Sequence, residues 1–252
     1  MIQIKNAAQI FAMKKAGRIT GEALLTAREH VKAGVSTKFL DDVIRNYIER
    51  AGAKPSFLGY GGFPGSACIS INNEVIHGIP SAKRILEEGD IVKIDVGAFI
   101  DGFHGDSART FAVGRVSPEA EKLIRVTEES FHRAVEQFKA GQRIGDIGAA
   151  VDGHVTQFGF STVRKYVGHG IGHDLHESPD VPNFGKPGRG PRLVPGMTIA
   201  VEPMVNAGVY DVRVLKDGWT TVTADGKLSA HYENTVLITD GEPEILTVTE
   251  GL

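Results

Sequence analysis

Four carboxylates and a run of histidines lie where ligation of divalent cations is the natural chemistry. The strongest local signal is KIDVGAFIDGFHGDSARTF at 93–111. It reads as two strands joined at Asp101-Gly102, a favoured two-residue hairpin turn. That turn sets Asp95 opposite Ala108 and Gly97 opposite Asp106. Asp95 and Asp106 then become diagonal neighbours on one face, within reach of each other. Asp95 lies in an otherwise apolar strand, where an ionised carboxylate is costly unless it is paired or binds a metal. A hydrogen-bonded or salt-bridged Asp pair would also account for the hairpin. Glu202 ends the apolar run MTIAVE before Pro203, and Glu233 sits in AHYENTVLIT. Taken alone, either is an ordinary strand-end surface residue. Four such carboxylates shared between two similar halves of a chain are harder to dismiss.

The segment GHGIGHDLHES at 168–178 adds His169, His173 and His176. Its glycines indicate a loop or strand end, so it is not the helical H-E-x-x-H zinc motif. His77, in INNEVIHGIP, shares the string His-Gly-Ile with His169. The glycine-rich GYGGFPGS at 59–66 lacks the Gly-Lys-Ser/Thr ending of a phosphate-binding loop and reads as a tight, aromatic-lined wall. Trp219, the only tryptophan, lies in a turn-like DGWT and serves either core or pocket.

The elements that must position these residues come in two passes. A first helix starts near Asn6, with Gln9 as its capping-box partner. A second follows Ser36, carries Leu40, Val43, Ile44, Tyr47 and Ile48 at helical spacing, and stops at Gly52. A third begins at Ser117-Pro118, the serine as cap and the proline at the first helical position. It carries Leu123, Val126, Phe131, Ala134 and Phe138. A fourth carries Ile147, Val151, Val155 and Phe158 before Gly159. Strand-like segments are 67–72, 91–99, 106–113, 198–202 and 231–238. The order is helix, helix, strands, and then the same again.

The second pass copies the first. KAGVSTKFLDDVIRNYIERAG (32–52) aligns without gaps to KAGQRIGDIGAAVDGHVTQFG (139–159), and the same offset pairs EEGDIVKIDV (87–96) with LVPGMTIAVE (193–202). Asp95 and Glu202 then occupy equivalent positions, and a pseudo-twofold axis would bring them to one site. The expected organisation is a single catalytic domain over 1–252 with an internal repeat of about 7–115 and 116–250.

Whole-chain properties narrow the classes. With 252 residues and 41% hydrophobic content, the chain can bury a sizeable core. A net charge of −3 gives no electrostatic reason to bind nucleic acid or an anionic membrane. Cys68 is the only cysteine, which excludes an intrachain disulfide and a cysteine-based zinc site. No apolar run approaches bilayer-spanning length, and Lys5, Asn6 and Gln9 interrupt any signal-peptide core. The expected location is the cytoplasm.

Over essentially its full length the chain resembles the type I methionine aminopeptidases. The segments that carry the resemblance are KKAGR, INNEVIHGIP, KIDVGAFIDGFHGDSARTF, GHGIGHDLHESPDVPNFG, AVEPMVNAG and DGWTTVTADGKLSAHYENT. The stretch between His169 and Glu202 is too short for the insertion that marks the type II enzymes. The resemblance implies an α/β pita-bread fold, two pseudo-twofold-related α/β halves around a curved antiparallel sheet. It implies metal ligands at Asp95, Asp106, His169, Glu202 and Glu233, with Asp106 and Glu233 bridging two divalent ions, Asp95 chelating one, and His169 and Glu202 on the other. His77 and His176 match substrate-contacting catalytic histidines. Tyr60, Phe63, Cys68, Leu175 and Trp219 match the wall of a methionine pocket.

The implied reaction removes an N-terminal methionine from peptides and nascent chains, preferably before a small residue. Four carboxylates balance two divalent cations, and two ions about 3.5–4 Å apart can activate a shared water to hydroxide that attacks the scissile carbonyl. Glu202 is the expected proton shuttle. Oxygen-rich ligation with one imidazole favours Mn, Fe or Co, with Zn also accommodated. The expected partners are peptide N-termini and, transiently, the ribosome; the expected state is a monomer without nucleic acid or membrane. Proline-specific aminopeptidases and dipeptidases share the five-ligand pattern but usually carry an extra N-terminal domain. Non-catalytic relatives have lost ligands, whereas all five are present here.

Overall fold

The computed structural model describes residues 1–139 and 141–248. Ala140, part of the second KAG, and residues 249–252, the end of the expected repeat, lie outside the described residues.

Among the described residues four α-helices form where capping and periodicity place them. Helix α1 (Ala7–Arg28) is opened by a capping box: Asn6 Oδ1 accepts from the Gln9 amide, and Gln9 Oε1 accepts from the Asn6 amide. Helix α2 (Thr37–Arg50) is capped by Ser36 and α3 (Pro118–Val135) by Ser117, each hydroxyl accepting from the amide three residues on. Helix α4 (Ile144–Gln157) follows Arg143, whose amide donates to Asp146. The stripe Leu40, Ile44 and Ile48 is fully buried, as is Ile147, Val151 and Val155. Each such side chain contributes roughly 1.5–3 kcal/mol by leaving water. Helices α1 and α2 pack over the first-half strands in one core, and α3 and α4 over the second-half strands in another.

The repeat extends to individual hydrogen bonds. The starts of α2 and α4, 37 and 144, and their ends, 50 and 157, are both 107 apart. Thr37 N donates to Arg84 O and Ile144 N to Pro191 O; the isolated bridges Ser36–Ile85 and Arg143–Arg192 keep the same offset. So does the pairing of Lys54–Pro55 with Phe99–Ala98, matched by Ser161–Thr162 with Asn206–Val205.

Among the described residues the main sheet has nine strands. Ile91–Ile100 and Phe103–Ala112 form the hairpin expected at Asp101-Gly102, in the expected register, Asp95 against Ala108 and Gly97 against Asp106. Asp101 and Gly102 both have positive φ, 52° and 85°, as a type I′ turn requires. The two halves join where Phe103–Ala112 pairs with Glu233–Leu237. The expected strand 231–238 is in fact two, Ser229–His231 and Glu233–Leu237. They part at Tyr232, opposite Pro203, which has no N–H to offer the ladder; Tyr232 N instead donates to Pro203 O. A small sheet of Glu74–Ile76, Thr221–Thr223 and Val212–Val214 was not foreseen, because three-residue strands carry no readable alternation. It sets His77 and Trp219 at the ends of neighbouring strands.

Candidate active site

One row of residues crosses four strands. Cys68 pairs with Asp95, Asp95 with Ala108, and Ala108 with Glu233. Ala108 is fully buried, and its methyl is the smallest side chain that still closes the row. Asp106, two residues before Ala108, shares its face. Glu202 follows directly on Val201, which pairs with Asn234, so Glu202 emerges beside Glu233. His169 pairs with Ala200 on the next strand. Its neighbours must be glycine: a Cβ on Gly168 would come within 2.4 Å of Ala200 O, and one on Gly170 within 2.3 Å of Ser178 O. The structure therefore brings Asp95, Asp106, His169, Glu202 and Glu233 together from segments spread over 139 positions of sequence, 95 to 233.

The cluster is costly in electrostatic terms. Burial pushes the Asp95 carboxyl up to about 7, against an opposing hydrogen bond from Asp106. Burial also holds Asp106, Glu202 and Glu233 well above the usual carboxylate range, reinforced in each case by the neighbouring carboxylates. Two imidazoles approach to within 4 Å: His169 to Asp106 and Glu202, His231 to Glu202 and Glu233. Desolvation pulls each down to about 3, so neither brings a positive charge. Asp95 Oδ1 and Asp106 Oδ1 are buried without a hydrogen-bond partner. His169 Nδ1 donates to Gly170 O at 2.9 Å, which leaves the Nε2 lone pair facing the carboxylates. Buried like charges with orphaned oxygens and an aimed neutral imidazole are the donor set of a cation site. Among the described residues two groups meet ligand spacing, Asp106–His169–Glu233 and Asp95–His231–Glu233, with Glu233 common to both.

A cavity of about 160 Å³ opens on this cluster. Phe63, Cys68, Leu175 and Trp219 line it, with Tyr60 at its exposed rim. Phe57 and Ile76 complete the wall; Ile76 had no signal beyond an apolar residue next to His77. Phe63 and Trp219 meet edge to face at 5.2 Å. Burial pushes the Cys68 thiol up, so it acts as an apolar surface. His77 holds a left-handed backbone (φ 59°) rare outside glycine, and its ring packs edge-on between Tyr166 and Trp219. Burial draws it down to about 4, so it is neutral at physiological pH. His176 stands at the mouth, its Nδ1 2.8 Å from Tyr60 Oη and its ring 4.1 Å from that of His169. His173 lies outside the cavity, against Phe103. His231 is the residue sequence reading missed, because nothing local distinguishes it from a core histidine.

The family model described as metallopeptidase family M24 matches residues 12–240. The chain belongs to that family. M24 membership makes it a metal-dependent peptidase and makes a divalent cation its cofactor, for which the carboxylate and imidazole cluster is chemically suited. Among its M24 relatives, the methionine aminopeptidase of Clostridium acetobutylicum is 54% identical over 250 residues, covering 99% of this chain and 100% of the relative. The crystal structure of methionine aminopeptidase from Thermotoga maritima superposes with a TM-score of 0.97 at 43% identity, over 99% of this chain and 100% of that one. The M24 prolidase of Pyrococcus furiosus matches at a TM-score of 0.80 and 25% identity, but this chain spans only 66% of its length. The mixed α/β architecture is the pita-bread fold of these proteins.

Proposed function

We propose that this chain is a methionyl aminopeptidase that removes the N-terminal methionine from peptides and nascent chains, best when the second residue is small. The observation that carries the reading is the juxtaposition of an apolar, aromatic-walled cavity with the carboxylate cluster, joined where Cys68 pairs with Asp95. An unbranched thioether suits such a wall, since sulfur packs favourably on aromatic edges. The full-length match to proteins named methionine aminopeptidase favours this substrate over the prolyl substrates of the longer prolidases.

In this reading Asp95, Asp106, His169, Glu202 and Glu233 hold two divalent cations, Mn, Fe or Co, with Zn also accommodated. Such a pair, when bound, lowers the pKa of a water and polarises the scissile carbonyl. The chain's own groups do the rest. Glu202, beside Glu233 at the edge of the row, has an oxygen to spare and carries the proton to the leaving amine. His176, oriented by Tyr60, donates to the oxygen that becomes negative. His77, neutral and fixed by Tyr166 and Trp219, contacts the scissile amide. The cavity wall anchors the methionine side chain, a burial worth roughly 1.5–3 kcal/mol.

No helix is long and apolar enough to cross a membrane among the described residues. The reading places the protein in the cytoplasm as a monomer that meets its substrates as they leave the ribosome. The deciding experiment measures methionine release from Met-Ala-Ser and Met-Leu-Ser after chelation, with single metals added back. Expected are loss on chelation, recovery with Mn, Co or Fe, and preference for Met-Ala-Ser. Full activity in protein shown by elemental analysis to be metal-free would overturn the proposal.

A further inference from the structure

His231 is a buried imidazole that the mechanism leaves unused. It is 1% exposed, and both ring nitrogens lack a hydrogen-bond partner. A neutral imidazole always presents one donor and one acceptor, so orphaning both in a closed interior is costly and calls for an explanation. Its backbone is pinned from both sides by one hydroxyl: His231 N donates to Thr110 Oγ1, which donates back to His231 O. The backbone that carries the ring is therefore fixed by the sheet.

Its position repeats that of His169. His169 Nε2 lies 3.7 Å from Glu202 Oε1 and 3.8 Å from Asp106 Oδ2. His231 Nε2 lies 3.7 Å from Glu202 Oε2 and 3.8 Å from Glu233 Oε2. All four distances exceed hydrogen-bond range. They fit two donors sharing one cation, since N and O ligands each about 2.0–2.2 Å from a metal lie at most about 4.3 Å apart. Glu202 offers one oxygen toward each imidazole, and Asp95, His231 and Glu233 place one ligand atom apiece within 4.8 Å of one another.

We propose that His231 is a sixth protein ligand, supplying the Asp95 side of the centre with an imidazole of its own. The inference rests on the five-ligand reading above and extends it. His169 and Glu202 then belong to one half-site and Asp95 and His231 to the other, with Asp106 and Glu233 shared between them. The Asp95 half-site changes from oxygen-only to mixed nitrogen and oxygen, which shifts its preference from Mg and Ca toward Fe, Co and Zn.

The test uses full-length protein loaded with two equivalents of cobalt(II). Proton NMR reads the hyperfine-shifted imidazole resonances of cobalt-bound histidines, and calorimetry reads the affinity of each cobalt. Wild type is expected to show two shifted imidazoles. His231→Gln and His169→Gln should each lose a different one, and His231→Gln should weaken one cobalt by at least about tenfold while the other stays. Melting of the metal-free variants checks folding, and His231→Asn replaces His231→Gln if that variant does not fold. A single shifted imidazole, lost in His169→Gln and kept in both His231 variants, overturns this inference and leaves the five-ligand reading standing. Cobalt binding that depends on neither histidine overturns both.

Discussion

Asp95 and Glu233 stand on strands separated by one, and only the methyl of Ala108 occupies the ladder position between them. In a close-packed interior a row of three usually fills with side chains. Here the middle position is cut back to a methyl while the flanking two are carboxylates, which leaves space at the centre of four acidic groups.

Filling that space should remove the site without dismantling the sheet. Ala108→Leu is expected to abolish stoichiometric metal binding and turnover together. The overpacking itself should cost about 1–3 kcal/mol. Elemental analysis and melting temperature of the folded variant check this. A variant that binds two metals like wild type would show that Ala108 does not border the centre.

The pH dependence follows from opposed shifts. Asp95 titrates at about 7 in the folded chain against an ordinary 3.8, so its contribution to stability is complete below about 4 and is lost as pH rises through 7. His169 and His231 titrate at about 3 against 6.5, so their contribution is present above 6.5 and is lost as pH falls toward 3. Metal-free protein should therefore be most stable at mildly acidic pH. Cations displace protons from the carboxylates, so the rise in melting temperature on adding Mn should grow from pH 5.5 to pH 8. Calorimetry in buffers of different ionisation enthalpy should show protons released on binding. An increment that does not change with pH would contradict the assignment.

His176 separates catalysis from metal binding. Its imidazole bonds Tyr60, and it belongs to neither group with ligand spacing. His176→Ala should keep its metal and fold while kcat falls about 10²–10³-fold, as for loss of an oxyanion donor. Tyr60→Phe should fall less, because the ring remains and only its orienting bond is lost. His169→Ala should lose metal affinity instead. Side-by-side metal content, melting temperature and kcat decide the matter; an unchanged kcat in folded His176→Ala would reduce it to a packing residue.

Arg109 ties the two halves on the opposite face of the same strands. Its guanidinium donates to Glu233 O, Ala108 O and Asn234 Oδ1 and lies 3.9 Å over the Tyr232 ring. Arg109→Met removes hydrogen bonds from a charged donor, worth roughly 1.5–3 kcal/mol each, although Glu233 O keeps its bond from Ser107 Oγ and Asn234 Oδ1 its bond from Thr247 Oγ1. At roughly 2–4 °C per kcal/mol for a chain of this size, the melting temperature should drop by several degrees or more. The loss should persist in metal-free protein, which distinguishes it from substitutions at the ligands. A melting temperature within a degree of wild type would mean the halves are held elsewhere.

What the sequence determined by itself was local or repeated. Asn6 and Gln9, Ser36, and Ser117-Pro118 set the helix starts, because a cap is a contact across three residues. Asp101-Gly102 set the hairpin register and with it the place of Asp95 opposite Ala108. The gap-free repeat set the equivalence of α2 with α4. Tertiary structure alone decided the rest. The pairing of Ala108 with Glu233, of His169 with Ala200, and of Ile76 with Thr221 joins segments whose own periodicity carries no record of their partners. His231 shows the limit most plainly. In sequence it is a histidine in an apolar strand, the pattern of an ordinary core residue. Only when Pro203 and Tyr232 interrupt the pairing, and Thr110 fixes its backbone from a distant strand, does its unpartnered Nε2 come to face Glu202 and Glu233. Side-chain chemistry is written locally, but which charges must share one buried space is decided by long-range strand pairing.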